Sequence, residues 1–237
     1  GNADDGLSVI KQTLDGGYII GGASDSGISG DKTENRVGAT GTSDYWVVKL
    51  DTLGNIVWQN TIGGSLYDDL TSLEQTNDGG YIVGGISSSG ISGDKTESSM
   101  GGSDYWIIKL TITGNVEWQN TIGGSANDAL YDLHQTMDGG YIVGGSSSSG
   151  ITGDKTEEML GGYVGDYWVV KLDASGLIIW QNTIGSNGND DLQSVWQTSD
   201  GGYILGGYSS SGELNCSDKN EFGTGSDDIW IVKLNPD

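Results

Sequence analysis

One block of sequence occurs four times in this chain and constrains every later reading. The core Asp-Gly-Gly-Tyr-Ile stands at Asp15–Ile19, Asp78–Ile82, Asp138–Ile142 and Asp200–Ile204, a period of about 60 residues. Each core sits in a longer frame. In the second repeat an apolar-alternating segment precedes the turn. Tyr81-Ile-Val-Gly-Gly85 follows it, then a Ser/Gly loop ending Gly93-Asp-Lys-Thr-Glu97, then Asp104-Tyr-Trp-Ile-Ile-Lys-Leu110. Gly114-Asn-Val-Glu-Trp-Gln-Asn-Thr-Ile-Gly-Gly124 closes the unit. A fixed period of this length means stacked or radially arrayed units, because one unit cannot bury its apolar face alone. We read a single array over 1–237, with repeats at approximately 1–63, 64–123, 124–185 and 186–237.

Each repeat reads as four short antiparallel strands. Leu70–Thr76 is the first, and Asp-Gly-Gly at once marks a hairpin, because Gly accepts positive φ. Tyr81–Ser87 is the second, Tyr105–Leu110 the third and Val116–Ile122 the fourth. Forty-three Gly and a single Pro fit tight turns and disfavour long helices. In the third strand Trp106, Ile108 and Leu110 point one way and Tyr105, Ile107 and Lys109 the other, so both faces ask for cover. The fourth strand alternates, with Val116, Trp118 and Ile122 opposite Glu117, Gln119 and Thr121, as a half-exposed outer strand would. The pattern predicts an all-β propeller of four-stranded blades in preference to a β-solenoid, whose coils are shorter.

Asp-Gly-Gly-Tyr-Ile-Val-Gly-Gly, Asp-Tyr-Trp-Val-Val-Lys-Leu-Asp and Gly-Asn-Ile-Val-Trp-Gln-Asn-Thr-Ile-Gly-Gly together resemble the repeat of secreted bacterial, Bacteroidetes-type β-propeller proteins, similar to delta-60 and quinoprotein-like propeller repeats. The resemblance spans nearly the whole chain. It implies an extracellular or cell-surface binding or scaffold module, and its motif carries no catalytic residues. The long Gly-Asp-Lys-Thr-Glu loops depart from the plain pattern, and the fourth repeat departs further at 213–221.

With 33 acidic and 10 basic residues the net charge is −23. That argues against a nucleic-acid binder, whose affinity comes largely from Lys and Arg on phosphates. No apolar run reaches the roughly 20 residues of a membrane span, so no membrane insertion is expected. The single cysteine, Cys216, rules out an internal disulfide and a cysteine-rich metal site.

Three sets of residues invite a functional reading. The loop between the second and third strands carries Asp31 and Glu34, Asp94 and Glu97, Asp154 and Glu157, and Asp218 and Glu221. Paired carboxylates among Ser, Thr and Gly oxygens suit Ca2+, although the lysine inside each motif competes for them and such Asp residues also cap turns. The acidic residues before the first strand (Asp4 and Asp5, Asp68 and Asp69, Asp128, Asp190 and Asp191) recur in every unit, which suits structure better than catalysis. The third set breaks the repeat. One position of the first strand, the expected innermost strand, reads Lys11, Glu74, His134 and Trp196. The position two residues earlier reads Val9, Ser72, Asp132 and Ser194. A symmetric array that needs one unique site must break its symmetry somewhere.

These features lead to an expected non-catalytic extracellular binding or scaffold module, recognising a glycan or protein at Lys11, Glu74, Asp132, His134 and Trp196. The alternative is a polysaccharide-active propeller enzyme using a central channel. The chain holds four first, second and third strands but three fourth strands. The segment Ile229–Leu234 is therefore expected to present an open edge, completed by further sequence or by a partner chain.

Overall fold

The computed structural model describes residues 1–160, 165–210, 218, 219, 223 and 225–236. Among them there is no helix, and fifteen strands form four antiparallel sheets. Sheet 1 contains β1 (Asp5–Gln12), β2 (Tyr18–Ser24), β3 (Asp44–Leu50) and β4 (Ile56–Ile62). Sheet 2 contains β5 (Asp68–Gln75), β6 (Tyr81–Ser87), β7 (Asp104–Leu110) and β8 (Val116–Ile122). Sheet 3 is β9 (Asp128–Gln135), β10 (Tyr141–Ser147), β11 (Asp166–Leu172) and β12 (Ile178–Ile184). Sheet 4 has three strands: β13 (Asp190–Gln197), β14 (Tyr203–Ser209) and β15 (Asp228–Leu234). Consecutive strands are neighbours in every sheet, the meander of a propeller blade. The chain divides into two compact units, one holding sheets 1 and 2 and the other sheets 3 and 4.

The Asp-Gly-Gly turns explain their own sequence. Gly16, Gly79, Gly139 and Gly201 take φ of 81°, 84°, 83° and 88°, a region that side chains disfavour. The next glycine is required by space: a Cβ on Gly17 would lie 2.3 Å from the Leu50 carbonyl. The aspartate anchors the turn to the third strand. Asp15, Asp78, Asp138 and Asp200 pair with Lys49, Lys109, Lys171 and Lys233 at 2.8, 2.9, 3.0 and 3.1 Å. Burial works to raise the Asp78 and Asp138 carboxyls. Hydrogen bonds from Thr76 and Thr136 and the paired lysines outweigh it and hold both down to about 2.

Every first strand whose pairing with its neighbour is defined carries a bulge. The register slips between Leu7 and Val9, Leu70 and Ser72, and Leu192 and Ser194, and opposite Gly144 and Gly145 in sheet 3. The extra residue turns the strand so that leucines three apart face the same way. Leu70 and Leu73 are both buried, as are Leu130 and Leu133. Strict alternation from the sequence would have put them on opposite faces.

Sheets pack within each unit through one repeated contact. Tyr45 of β3 lies against Trp106 of β7 with ring centroids 5.1 Å apart, and its hydroxyl donates to the Trp106 carbonyl at 3.1 Å. Tyr167 and Trp230 repeat both distances in the second unit. Around the first pair gather Ile19, Val47, Ile62, Leu70, Leu73, Tyr81, Val83, Ile108 and Leu110. The bulged leucines fit because a glycine faces them: a Cβ on Gly21 would lie 3.0 Å from Leu70 Cδ2 and 3.1 Å from Leu73 Cδ1. The Leu14 amide donates across to Gln75 Oε1 at 2.8 Å, and Met137 does so to Gln197 at 2.7 Å. β5 packs on β1, β2 and β3, and β13 on β9, β10 and β11, so the first strand of one sheet lies across the first three strands of its neighbour within each unit.

The fourth strand differs from the expected alternation. Burial grows along β8 from exposed Val116 and Glu117, through Trp118, Gln119 and Asn120, to buried Thr121 and Ile122, and β4 shows the same gradient. The reason is the loop laid over its far half.

Candidate functional site

That loop is the Gly-Asp-Lys-Thr-Glu segment, and it closes on the Trp-Gln-Asn-Thr of the fourth strand and the Trp of the third. Lys32, Lys95 and Lys155 are buried, with Nζ 5.3, 4.9 and 5.8 Å from the ring centroids of Trp46, Trp106 and Trp168. Each ammonium donates to a fourth-strand threonine: Lys32 to Thr61 at 2.7 Å, Lys95 to Thr121 at 2.8 Å, and Lys155 to Thr183. Burial lowers all three lysines, Lys95 to about 8, against the pull of nearby carboxylates.

The carboxylates of the loop are engaged by main chain. Glu34 accepts the Thr61 N–H at 2.5 Å, Glu97 the Thr121 N–H at 2.7 Å, and Glu157 the Thr183 N–H at 2.5 Å. Asp94, Asp154 and Asp218 accept from Gly63, Gly123 and Gly185, each at 3.2 Å. The carbonyl of Asp31 accepts from Gln59 Nε2 at 2.8 Å, and that same Gln59 takes the indole N–H of Trp46 on its Oε1 at 3.1 Å. Glu221, the last member of this set, lies outside the described residues, as does Cys216. Among the described residues no three His, Cys, Asp or Glu side chains gather as a metal would need.

The acidic residues opening the first strand have a similar use. Asp68 accepts from the Gly64 N–H at 2.6 Å and the Ser89 hydroxyl at 3.0 Å. Asp128 does the same with Gly124 at 2.7 Å and Ser149 at 3.0 Å. Both are buried, and burial raises their carboxyls.

The symmetry-breaking positions give a different arrangement. In the second unit Asp132 on β9 faces β13. Its Oδ2 accepts the Ser194 hydroxyl at 2.9 Å and the Val195 N–H at 3.1 Å, and its Oδ1 lies 3.3 Å from His134 Nε2. The His134 ring meets Trp196 edge-on, with centroids 4.3 Å apart. Trp196 is 55% exposed, so its indole is presented to solvent beside the half-buried Asp132 and His134. Burial works to raise the Asp132 carboxyl, but His134, Val195 and Ser194 together hold it below the ordinary carboxylate value. The structure thus brings together Asp132, His134 and Trp196, and adds Ser194 and the Val195 amide. Lys11, exposed, and Glu74, half-buried, occupy the equivalent register of β1 and β5 in the first unit. Sequence reasoning missed the Val195 amide. Its aim at Asp132 depends on the bulge between Leu192 and Ser194, which no residue type announces.

A hydroxyl that donates to a carboxylate is not held for attack by a histidine. The order here is serine, aspartate, histidine, whereas nucleophilic catalysis needs the histidine between the other two. The arrangement instead offers an aromatic face, a fixed acceptor and an imidazole, the groups that bind polar ligands.

No protein-family model matches this chain. It is 27% identical over 116 residues to the regulatory protein FlaEY of Caulobacter vibrioides, an alignment covering 47% of this chain and 12% of that protein. Among solved structures it is similar to a mutant of Synechocystis apocarotenoid oxygenase, with a TM-score of 0.48 and 11% identity over 96% of this chain and 48% of the other. A chimera of that oxygenase with RPE65 gives 0.45 and 12% over 97% and 48%. The chain therefore spans about an eighth of its curated relative and about half of these structures.

Proposed function

We propose that this chain is a non-catalytic binding or scaffold module of a secreted or cell-surface bacterial protein, with its recognition patch at Asp132, His134, Ser194 and Trp196. The observation that carries the reading is the exposed Trp196 indole held by His134, itself held by an Asp132 fixed through two further hydrogen bonds. A preset aromatic platform beside polar groups loses little freedom on binding and suits a glycan or a polar protein loop. The four repeats share their Asp-Gly-Gly turns and the first three share their clasp residues, whereas this patch differs from repeat to repeat, which supports recognition there. The acidic loops are assigned a clasp role in place of a calcium role, because their carboxylates meet main-chain N–H groups. A strand from a partner chain at Ile229–Leu234 belongs to the same scaffold reading, since β15 is a sheet edge.

The test is a glycan and protein-ligand array probed with the wild type and with Trp196→Ala and Asp132→Asn. Retention that both substitutions abolish, with no cleavage of the retained ligand, is expected. Release of new reducing ends from a polysaccharide, lost in His134→Ala, would establish the enzyme reading instead.

A further inference from the structure

The contact that joins sheets has two halves, and each unit contains one completed copy and one half left open. The giving half is the face bearing Ile19, Gly21, Tyr45 and Val47. The receiving half is the face bearing Leu70, Leu73, Tyr81, Val83 and Trp106. Sheet 1 carries its own receiving face at the equivalent positions: Leu7, Ile10, Tyr18, Ile20, Trp46 and Val48. Every one of these is apolar. Yet Leu7 is 67% and Ile10 56% exposed, where Leu70 and Leu73 are 1% exposed. A cleft of about 180 Å³ opens among Leu7, Ile20, Trp46 and Val48.

Sheet 4 carries the unused giving face, Ile204, Gly206, Ile229 and Ile231. Ile229 is 85% and Ile231 64% exposed. The glycine shows what is missing. A Cβ built on Gly21 or Gly144 meets leucine side chains of the adjoining sheet, at 3.0 and 2.5 Å; one built on Gly206 meets nothing within 4 Å. The slot shaped for a bulged leucine pair is empty, and Leu7 and Ile10 form such a pair with no slot to fill.

We propose that sheet 4 of one copy of this chain docks on sheet 1 of a second copy, head to tail, reproducing the sheet-to-sheet contact that occurs within each unit. Leu7 and Ile10 enter the slot at Gly206, Ile229 lies on Trp46, and the Ser199 amide reaches Gln12 as Leu14 reaches Gln75. Because the two faces differ, the contact is heterologous and adds copies in a row. Exposed apolar faces of this kind mark interaction surfaces. One difference tunes it: where Tyr45 and Tyr167 place a hydroxyl on a tryptophan carbonyl, Ile229 has none, so this contact is weaker than those inside a unit.

The test is the mass of the full chain by light scattering over a wide concentration range. For the wild type the mass is expected to rise with concentration. Leu7→Glu and Ile229→Glu, both at exposed sites, should each hold the chain at monomer mass. Mixed one to one, they should form a dimer and nothing larger, because each keeps the face the other lost. Ile229→Tyr should tighten association about tenfold, as one added hydrogen bond does. A wild type that stays monomeric throughout, a mixture that does not pair, or association unchanged by Ile229→Glu overturns the proposal.

Discussion

The phenol of Tyr45 donates to the main-chain carbonyl of Trp106 at 3.1 Å while its ring lies against the Trp106 ring. One side chain thus joins two sheets by an apolar contact and by a hydrogen bond that bypasses side-chain identity. Removing the two parts separately should separate their worth. Tyr45→Phe should cost about 1 kcal/mol, the net value of a buried hydrogen bond, and Tyr45→Ala about 3–5 kcal/mol. Urea denaturation checks both, and equal losses would mean that the hydroxyl contributes nothing.

The equivalent leucines Leu7 and Leu70 should respond differently to one substitution. Leu70→Ala removes packing from a filled core and should cost about 2–5 kcal/mol. Leu7→Ala, at an exposed site, should stay within about 0.5 kcal/mol when measured on dilute monomer. Similar losses at both positions would show that Leu7 is buried in the free chain.

Glu97 should act through its acceptor oxygen, not through its charge. Glu97→Ala strands the Thr121 N–H under the loop and should cost about 1–3 kcal/mol, whereas Glu97→Gln keeps an oxygen in reach and should cost less than half of that. Thermal melts of both variants, with chelator and with calcium, check the clasp. A wild-type melting temperature that falls on chelation would show that metal holds these loops.

Acidification from pH 7 to pH 5 should stabilise the protein. Burial raises Asp44 and Asp166 to about 6 in the fold, above their ordinary value of 3.8. Their stabilising contribution is complete below 3.8 and is lost as pH rises through 6. Each should return roughly 1 kcal/mol on descending to pH 5, or about 2–4 °C in Tm for a chain of this size. The opposing groups act lower: Asp78, Asp138 and Asp200 stabilise above 3.8 and lose that effect as pH falls through about 2. A Tm that drops steadily from pH 7 to pH 5 would contradict the burial of Asp44 and Asp166.

Much of this was legible in the repeat. Asp-Gly-Gly specified its turn because only glycine meets both the positive φ and the approach of Leu50. Tyr81–Ser87 and Val116–Ile122 were bounded correctly by their flanking glycines and alternation. The first strand was harder. Its bulge at Thr71 depends on the partner strand, where Gly85 lets the Asp69 carbonyl approach to within 2.0 Å of a built Cβ, so neither segment alone reveals it.

The sequence by itself determined the unit: its period, its strands, its turns and the residues that break its symmetry. Those are local properties, set by backbone sterics and alternation within a few residues. Only the tertiary structure decided what Lys95, Glu97 and Asp132 do. Lys95 and Glu97 close on Thr121, more than twenty residues away, and Asp132 takes Ser194 and Val195 from the next sheet. A carboxylate in a glycine-rich loop reads alike whether it awaits a cation or an amide. The partner is chosen by which strand the fold lays beside it.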